Sequence, residues 1–422
     1  MALFALLGLL AAACGDDDDD ASTGSEAEEG SGSEGSGGGS TEPTGEPIKI
    51  ASVLTIKNPA WSNDAVRQTI EAWVEHVNED GGIGGRPLEY DHCDDEGDAG
   101  RSLQCVQDFI DEGVVAFVGN ASLAFGANAL PTVEEAKIPN VGGYPITPAE
   151  FNSEYNFPTT AGSSGSYPSL AVYLYSQGAQ DVAWVGSDTP AARGVGTNLQ
   201  TVWKNLGGAS LTETYYDPAA ADFVPTVSQV NSQKPDGLII GAGEGPAPRM
   251  YQAIDVVGYD GIVTGTSQGA TQAVFDTAGD ALEGVIFSIP TLPPTMDDHE
   301  DVKLYNEVMD EYAPDLERGA ASLVAASSIQ YFVDVVSGID GEITSESIFE
   351  ALQEPPEKVF LVHSLSPDAA PEGMPRVWNP YNAIVQFDGE GLVLIGEDAK
   401  DSDYISKEAG VTWFAGGLPA KK

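Results

Sequence analysis

Basic residues are scarce in this chain. Eighteen lysines and arginines stand against 66 aspartates and glutamates, for a formal net charge of −48. A surface of that sign repels nucleic acid and anionic lipid, so neither is expected as a partner. Histidine is rarer still. His76, His92, His299 and His363 are the whole complement, and none is spaced to pair with another as metal ligands are, so no metal site is expected. Cysteine is limited to Cys14, Cys93 and Cys105, too few for a disulfide-dense scaffold. Long hydrophobic runs are also missing. The most apolar stretch, Met1 to Ala13, has 13 residues, short of the ~20 that span a bilayer as a helix.

That stretch ends in small residues followed by Cys14, which reads as a secretory signal with lipid attachment at the junction. Leu10-Ala11-Ala12-Ala13-Cys14 resembles a bacterial lipoprotein signal, but Ala11 stands where those signals usually carry leucine. No basic residue precedes Lys49, which points to a translation start a few codons upstream. The resemblance implies a signal peptide over residues 1–13 and a lipidated Cys14, anchoring the chain to the membrane outside the cytoplasm. Several acyl chains are needed for firm anchoring, and the lipoprotein resemblance supplies them.

Residues 14–47 hold Gly, Ser, Asp, Glu, Thr and Pro with almost no large apolar side chain, so they are expected to form a disordered tether. As a flexible coil it reaches roughly 30 Å. The run Asp16 to Asp20 lacks the spaced ligands and turn glycine of a calcium loop. Eleven acids precede Ile48, leaving a net charge of −37 on the rest. With Cys14 lipidated, Cys93 and Cys105 remain as an even pair in an oxidising compartment, and a disulfide between them is predicted.

From Ile48 onward, β-branched runs alternate with amphipathic helices, the signature of α/β sheets with helices on both faces. A first series places strands at 48–54, 87–92, 114–119 and 139–142, with helices at 64–80, 99–112 and 126–136. A second places strands at 181–186, 209–216, 237–241, 262–265 and 284–289, with helices at 192–205, 223–231 and 246–257. Long helices follow at 297–312, 320–338 and 344–352, then short strands near 358–362, 383–387 and 392–395. Two series in about 375 residues predict two domains.

The opening IKIASVL, the block HVNEDGGIGGRPLEYDHCDDEGDAGRSLQCVQDFIDEGVVAFVG, the segment EEAKIPNVGG and AADFVPTVSQVNSQKPDGLIIGAGEG together resemble the branched-chain amino-acid-binding proteins of ABC importers, of the leucine/isoleucine/valine-binding type. The resemblance covers Ile48 to Asp260. It implies a type I periplasmic-binding-protein fold: two α/β lobes, each a mainly parallel sheet flanked by helices, joined by three hinge crossings near Ala161, Phe287 and His363. Lobe 1 is expected over 48–160 plus 288–363, and lobe 2 over 161–287 plus 364–418. It further implies a monomer without cofactor that holds a small organic solute, by default a branched-chain or related amino acid, and hands it to ABC permease subunits by hinge closure.

Ligands of such sheets bind beyond the carboxyl ends of the strands. Candidate contacts are therefore Asn58, Trp61 and Ser62 after the first strand. Ser122 follows the third, where a helix start offers N–H groups to a carboxylate. Tyr144, Pro145 and Ile146 lie where the family presents backbone groups and a hydroxyl to the ligand. In the second lobe the candidates are Gly243, Glu244, Ser267 and Gln268. Two departures bear on the ligand. The window Asp188 to Gly194 lacks the family's aromatic residue, and Gly265 to Gln268 lacks its acid for the ammonium, whose burial without a carboxylate is costly. Trp184, inside a strand, reads as core.

Two other outputs fit parts of the sequence. Gly265-Thr266-Ser267-Gln268-Gly269 satisfies G-x-S-x-G after a β-branched run. Ser267, with Asp334 or Asp340 and then His363, would give a serine hydrolase, but no HGGG-like oxyanion segment lies upstream, and no catalytic residue is assigned. The same fold also serves as a ligand-sensing lobe for a signalling partner. Gly241-Ala242-Gly243-Glu244-Gly245 brings its third glycine one residue too early for a dinucleotide loop.

Overall fold

The computed structural model describes residues 43–58, 61–389, 391–397, 399, 403–408 and 410–416. The signal segment, Cys14 and the tether up to residue 42 lie outside these described residues. Residues 43–47, assigned to the tether from sequence, are fastened to the body instead. The Gly45 N–H donates to Gly85 O at 2.9 Å and Arg86 Nε donates to Glu46 O at 2.7 Å.

Lobe 1 is built on a wholly parallel sheet in the order β2 (Leu88–Asp94), β1 (Ile48–Leu54), β3 (Ala116–Val118), β4 (Asn140–Val141) and β5 (Asn156–Phe157). Helices α1 (Asp64–Glu79), α2 (Ala99–Glu112), α3 (Phe125–Asn128), α4 (Leu130–Ala136) and α5 (Pro148–Asn152) make the connections. The helix expected over 126–136 is broken in two. Pro131 sits in the first turn of α4, where its missing N–H costs nothing, whereas a continuous helix would lose a bond there.

Three later helices return to this lobe: α11 (Glu300–Tyr312), α12 (Ala320–Ser337) and α13 (Ser345–Ala351). The apolar stripe of α1 (Val66, Ile70, Trp73, Val77) packs on α11 and α12. Trp73 is fully buried, stacks on Tyr305 at 6.3 Å and donates to Gln330 Oε1 at 2.8 Å. Truncating such a ring costs about 3–5 kcal/mol. By length and composition α12 resembles a membrane span, but most of it is buried in the body.

Lobe 2 carries nine strands. Along the sheet run β13 (Ile405–Glu408), β14 (Val411–Ala415), β11 (Tyr381–Phe387), β10 (Ile286–Ile289), β9 (Ile262–Thr266), β8 (Gly237–Gly241), β6 (Asp181–Ser187) and β7 (Ser210–Tyr216), with β12 (Leu392–Leu394) paired to β11. From β6 to β10 the pairing is parallel, and β11 to β14 add an antiparallel edge. The flanking helices are α6 (Ser163–Ser176), α7 (Pro190–Leu206), α8 (Val224–Asn231), α9 (Ala247–Val257) and α10 (Gln272–Ala278).

Sequence reasoning overlooked α6. Its residues are buried on nearly every side, so it has no polar face to set a period, and Pro168 inside it reads as a stop. The strand expected over 358–362 is a turn. Leu361 takes a positive φ of 63° and its N–H donates to the Asp301 carboxylate at 3.1 Å rather than to a sheet neighbour.

Three segments cross between the lobes: 158–162 into α6, 290–299 from β10 into α11, and 352–380 from α13 into β11. Phe287 lies within β10, so the second crossing follows it. Cys93, at the end of β2, is bonded to Cys105 on α2 with Cα atoms 5.8 Å apart. A loop of that length contributes about 3 kcal/mol by constraining the unfolded chain.

Candidate functional site

In open α/β sheets ligands sit beyond the carboxyl ends of the strands. On lobe 1, the loop after β1 is held by two acids at the end of β2. Asp94 Oδ1 accepts the N–H groups of Ile56 (2.9 Å), Lys57 (3.3 Å) and Glu96 (3.0 Å). Burial pushes this carboxyl up, but those donors and the Lys57 charge outweigh it and hold the group below its ordinary range. Asp95 accepts Thr55 Oγ1 and the Gly97 N–H, each at 2.8 Å. Asn58 is half-buried, with Nδ2 on Glu96 O at 3.0 Å, and Ser62 is exposed. Trp61, half-buried, meets the Tyr144 ring edge to face at 6.1 Å.

The N–H groups after β3 that were expected to be free for a carboxylate are already used. Leu123 N–H donates to Thr55 Oγ1, while Ala124 and Phe125 N–H both donate to Ser122 Oγ, all at 3.0 Å. Ser122 in turn donates to Asp95. It is a buried cap, and α3 behind it is only four residues long.

The turn after β4 is occupied in the same way. Glu150 Oε2 accepts Ile146 N–H (3.1 Å), Thr147 N–H (2.8 Å) and Thr147 Oγ1 (2.8 Å), closing a capping box on α5. Burial pushes the Glu150 carboxyl up. Behind the turn runs an amide ladder. Asn120 donates to Asn140 at 2.9 Å, Asn140 donates to Asn156, and Asn156 donates to Glu150 O at 2.7 Å.

Tyr144 is half-buried and its hydroxyl faces Ser166 of α6; burial pushes that phenol up, so it stays protonated. Pro145 is buried with its carbonyl against the first crossing, where a Cβ on Gly162 would come within 2.0 Å. Ile146 is half-buried.

Lobe 2 ends its strands differently. Gly186 and Gly241, closing β6 and β8, make room for Trp184, whose ring a Cβ would meet at 2.5 and 2.1 Å. Gly265 on β9 makes room for the Tyr251 hydroxyl at 2.2 Å. Trp184 is core, 1 % exposed, as expected from sequence. Tyr167 packs edge to face on it at 5.0 Å, half-buried, with its hydroxyl beside Thr266. Tyr216 donates to Gly241 O at 2.8 Å. Tyr251 Oη is buried without a hydrogen-bond partner.

The remaining candidates spread along this edge. Gly243 and Gln268 are half-buried, Glu244 is exposed, and Ser267 is buried in a 3-10 turn. A cavity of about 420 Å³ opens beside Ser267, walled by Gln272, Asn306, Arg318 and Leu323 at the start of α12. Neither Trp61 nor Tyr144 lines it. Beside it the Gln272 N–H of lobe 2 donates to Glu317 of lobe 1.

This geometry has known counterparts. Residues 47–361 match the periplasmic binding protein family. The chain belongs to that family. Similar solved structures include a possible leucine/isoleucine/valine-binding protein from Rhodopirellula baltica, 16 % identical over 85 % of this chain and 98 % of that one, with a TM-score of 0.71. A branched-chain amino acid substrate-binding protein from Streptococcus pneumoniae, solved with isoleucine, is 15 % identical over 83 % and 100 %, at 0.67. A solute-binding protein from R. palustris, solved with 4-hydroxybenzoate, is 16 % identical over 87 % and 95 %, at 0.66.

In this periplasmic binding protein the hydrolase arrangement is not assembled. His363 Nδ1 lies 3.2 Å from Ser364 O, and Nε2 lies 2.7 Å from Ser406 Oγ and 3.2 Å from Glu408 Oε2. Both ring nitrogens are engaged away from Ser267, and Asp334 accepts Gln330 Nε2. Cys93 is committed to the disulfide. Tyr167, packed on Trp184 beside the strand ends of lobe 2, is a residue that sequence reasoning did not single out. An aromatic residue just past the first crossing was a usable signal, hidden because α6 itself went unread.

Proposed function

We propose that this chain captures a small organic solute between its lobes and delivers it to an ABC permease by hinge closure, moored to the membrane through a lipidated Cys14. One observation carries the reading. Tyr144, against which Trp61 packs, reaches Ser166 at the start of α6, next to Tyr167 and the strand ends of lobe 2, at a junction where three segments cross between the lobes. Closure over such a junction excludes water and creates a shape a membrane partner can read. Relatives of this fold hold isoleucine and 4-hydroxybenzoate, so kinship supports a small organic solute of either kind, the branched-chain amino acid being the family's default.

A thermal-shift screen of the mature chain against small metabolites tests this. A carried solute at about 100 times its dissociation constant stabilises by roughly 2.7 kcal/mol, and small-angle scattering should record compaction. A solute turned over into product, or a complete screen with neither stabilisation nor compaction, overturns the reading. Cys14→Ala should release the chain from membranes; persistent attachment refutes the anchor.

A further inference from the structure

Resting on the solute-capture reading, we infer that the solute is an uncharged molecule with a flat apolar body and a carbonyl-type oxygen, its body against Trp61 and Tyr144 and its oxygen toward Tyr167 and Thr266. Charge is disfavoured from both sides. The two places on lobe 1 that would hold a carboxylate are filled by the chain's own acids: Asp95 takes the Ser122 hydroxyl, and Glu150 takes the Ile146 and Thr147 donors. The charged groups on the loops beyond β1, β6 and β8 are spoken for or solvated. Lys57 lies 3.6 Å from Asp94, Arg193 lies 2.7 Å from Asp188, and Glu244 is exposed. Burying a carboxylate or an ammonium with no partner is costly, and the acidic body adds a long-range penalty for anions.

What the cleft does offer is aromatic surface and neutral donors. Trp61 and Tyr144 stand at 61° to each other and form a corner for a flat face. Across from them, the Tyr167 hydroxyl lies against Thr266, a residue only 2 % exposed, and Tyr251 Oη, in a residue 1 % exposed, is buried without a partner beneath the same strand end. Buried hydroxyls without partners are exceptional in native proteins. Burial keeps these phenols protonated, so they are donors, and a neutral acceptor oxygen answers them where a cation does not.

Five probes decide the matter on the mature chain by calorimetry and tryptophan fluorescence: 4-hydroxybenzamide, 4-hydroxybenzoate, L-phenylalanine, L-leucine and tetramethylammonium. The expected result is saturable binding of 4-hydroxybenzamide at least tenfold tighter than any of the other four. Trp61→Ala should abolish the binding signal. Tyr167→Phe should weaken 4-hydroxybenzamide about tenfold while leaving 4-methylphenol, which lacks the carbonyl, within twofold. Tightest binding by an amino acid, the benzoate or the cation overturns the inference and leaves solute capture standing, because the lobes would still close on a guest. Binding of none of the five also overturns it, and the metabolite screen then shows separately whether capture itself fails. Equal losses for both neutral probes in Tyr167→Phe would reduce Tyr167 to packing and refute its assigned contact.

Discussion

Lobe 1 closes its cleft edge with polar side chains that satisfy one another, whereas lobe 2 closes its own with rings packed on glycine. In the first, Asn120, Asn140, Asn156, Glu150, Asp95 and Ser122 use up each other's donors and acceptors. In the second, Trp184 and Tyr251 lie over Gly186, Gly241 and Gly265, and Tyr251 keeps an unpartnered hydroxyl. A saturated polar network is rigid and has little left for a guest. The contrast teaches that the lobe 1 edge is held by its own hydrogen bonds and the lobe 2 edge by rings against backbone.

The largest expected effect tests the polar edge. Glu150→Ala removes an acceptor shared by three donors around a half-buried turn, and donors left unpaired cost about 1–3 kcal/mol each. The variant should lose about 3–4 kcal/mol in denaturant unfolding, with the capping box included. A loss below about 1 kcal/mol would mean that this edge is not held by its own acid, and the asymmetry between the lobes would dissolve.

The aromatic edge should break more gently. A methyl on Gly241 lands 2.1 Å from the Trp184 ring, and overpacking of this kind costs about 1–3 kcal/mol. Gly241→Ala should fall in that range, and the cost should shrink when Trp184 is changed to Leu, because the two positions share one contact. Additive losses in the double variant would show that Gly241 is needed for its backbone alone.

Much of this architecture was readable from pattern. β1 and α2 lie on the residues expected of them, because a buried parallel strand and an amphipathic helix each write a clear period. The Cys93 to Cys105 bond followed from counting. What escaped was structure without a period: α6, buried all round, and the antiparallel strands β13 and β14 at the far edge. The cleft was legible as a set of loops but not as a balance of hydrogen bonds. Ser122 looks like an offered hydroxyl until Asp95, 27 residues away in sequence, is found accepting from it. No spacing rule foretells that Glu150 folds back onto Ile146 and Thr147.

The smallest effect compares one acid from each lobe as pH falls. Asp94 supports the loop that carries Trp61, and its side chain is a tenth exposed. Asp236 accepts the N–H groups of Gln180 and Asp181 at 2.8 and 3.0 Å from an exposed site at the amino end of β8, far from the strand ends that face the cleft. Those two N–H donors hold Asp236 below the ordinary value of 3.8; for Asp94, donors and Lys57 do so against the opposing pull of burial. A depressed folded pKa means that the unfolded chain takes up protons first, so the stabilisation is complete above about pH 5 and is lost as pH falls through the folded value. Asp94→Asn should therefore cost about 2 kcal/mol at pH 7, with the gap to the parent narrowing below about pH 4. Asp236→Asn, screened by solvent, should cost under about 1 kcal/mol. Only the first should also loosen Trp61, read as a weaker tryptophan signal on solute binding. Equal costs, or a gap that widens in acid, would show that the β2 acids do not hold the cleft loop in their charged form.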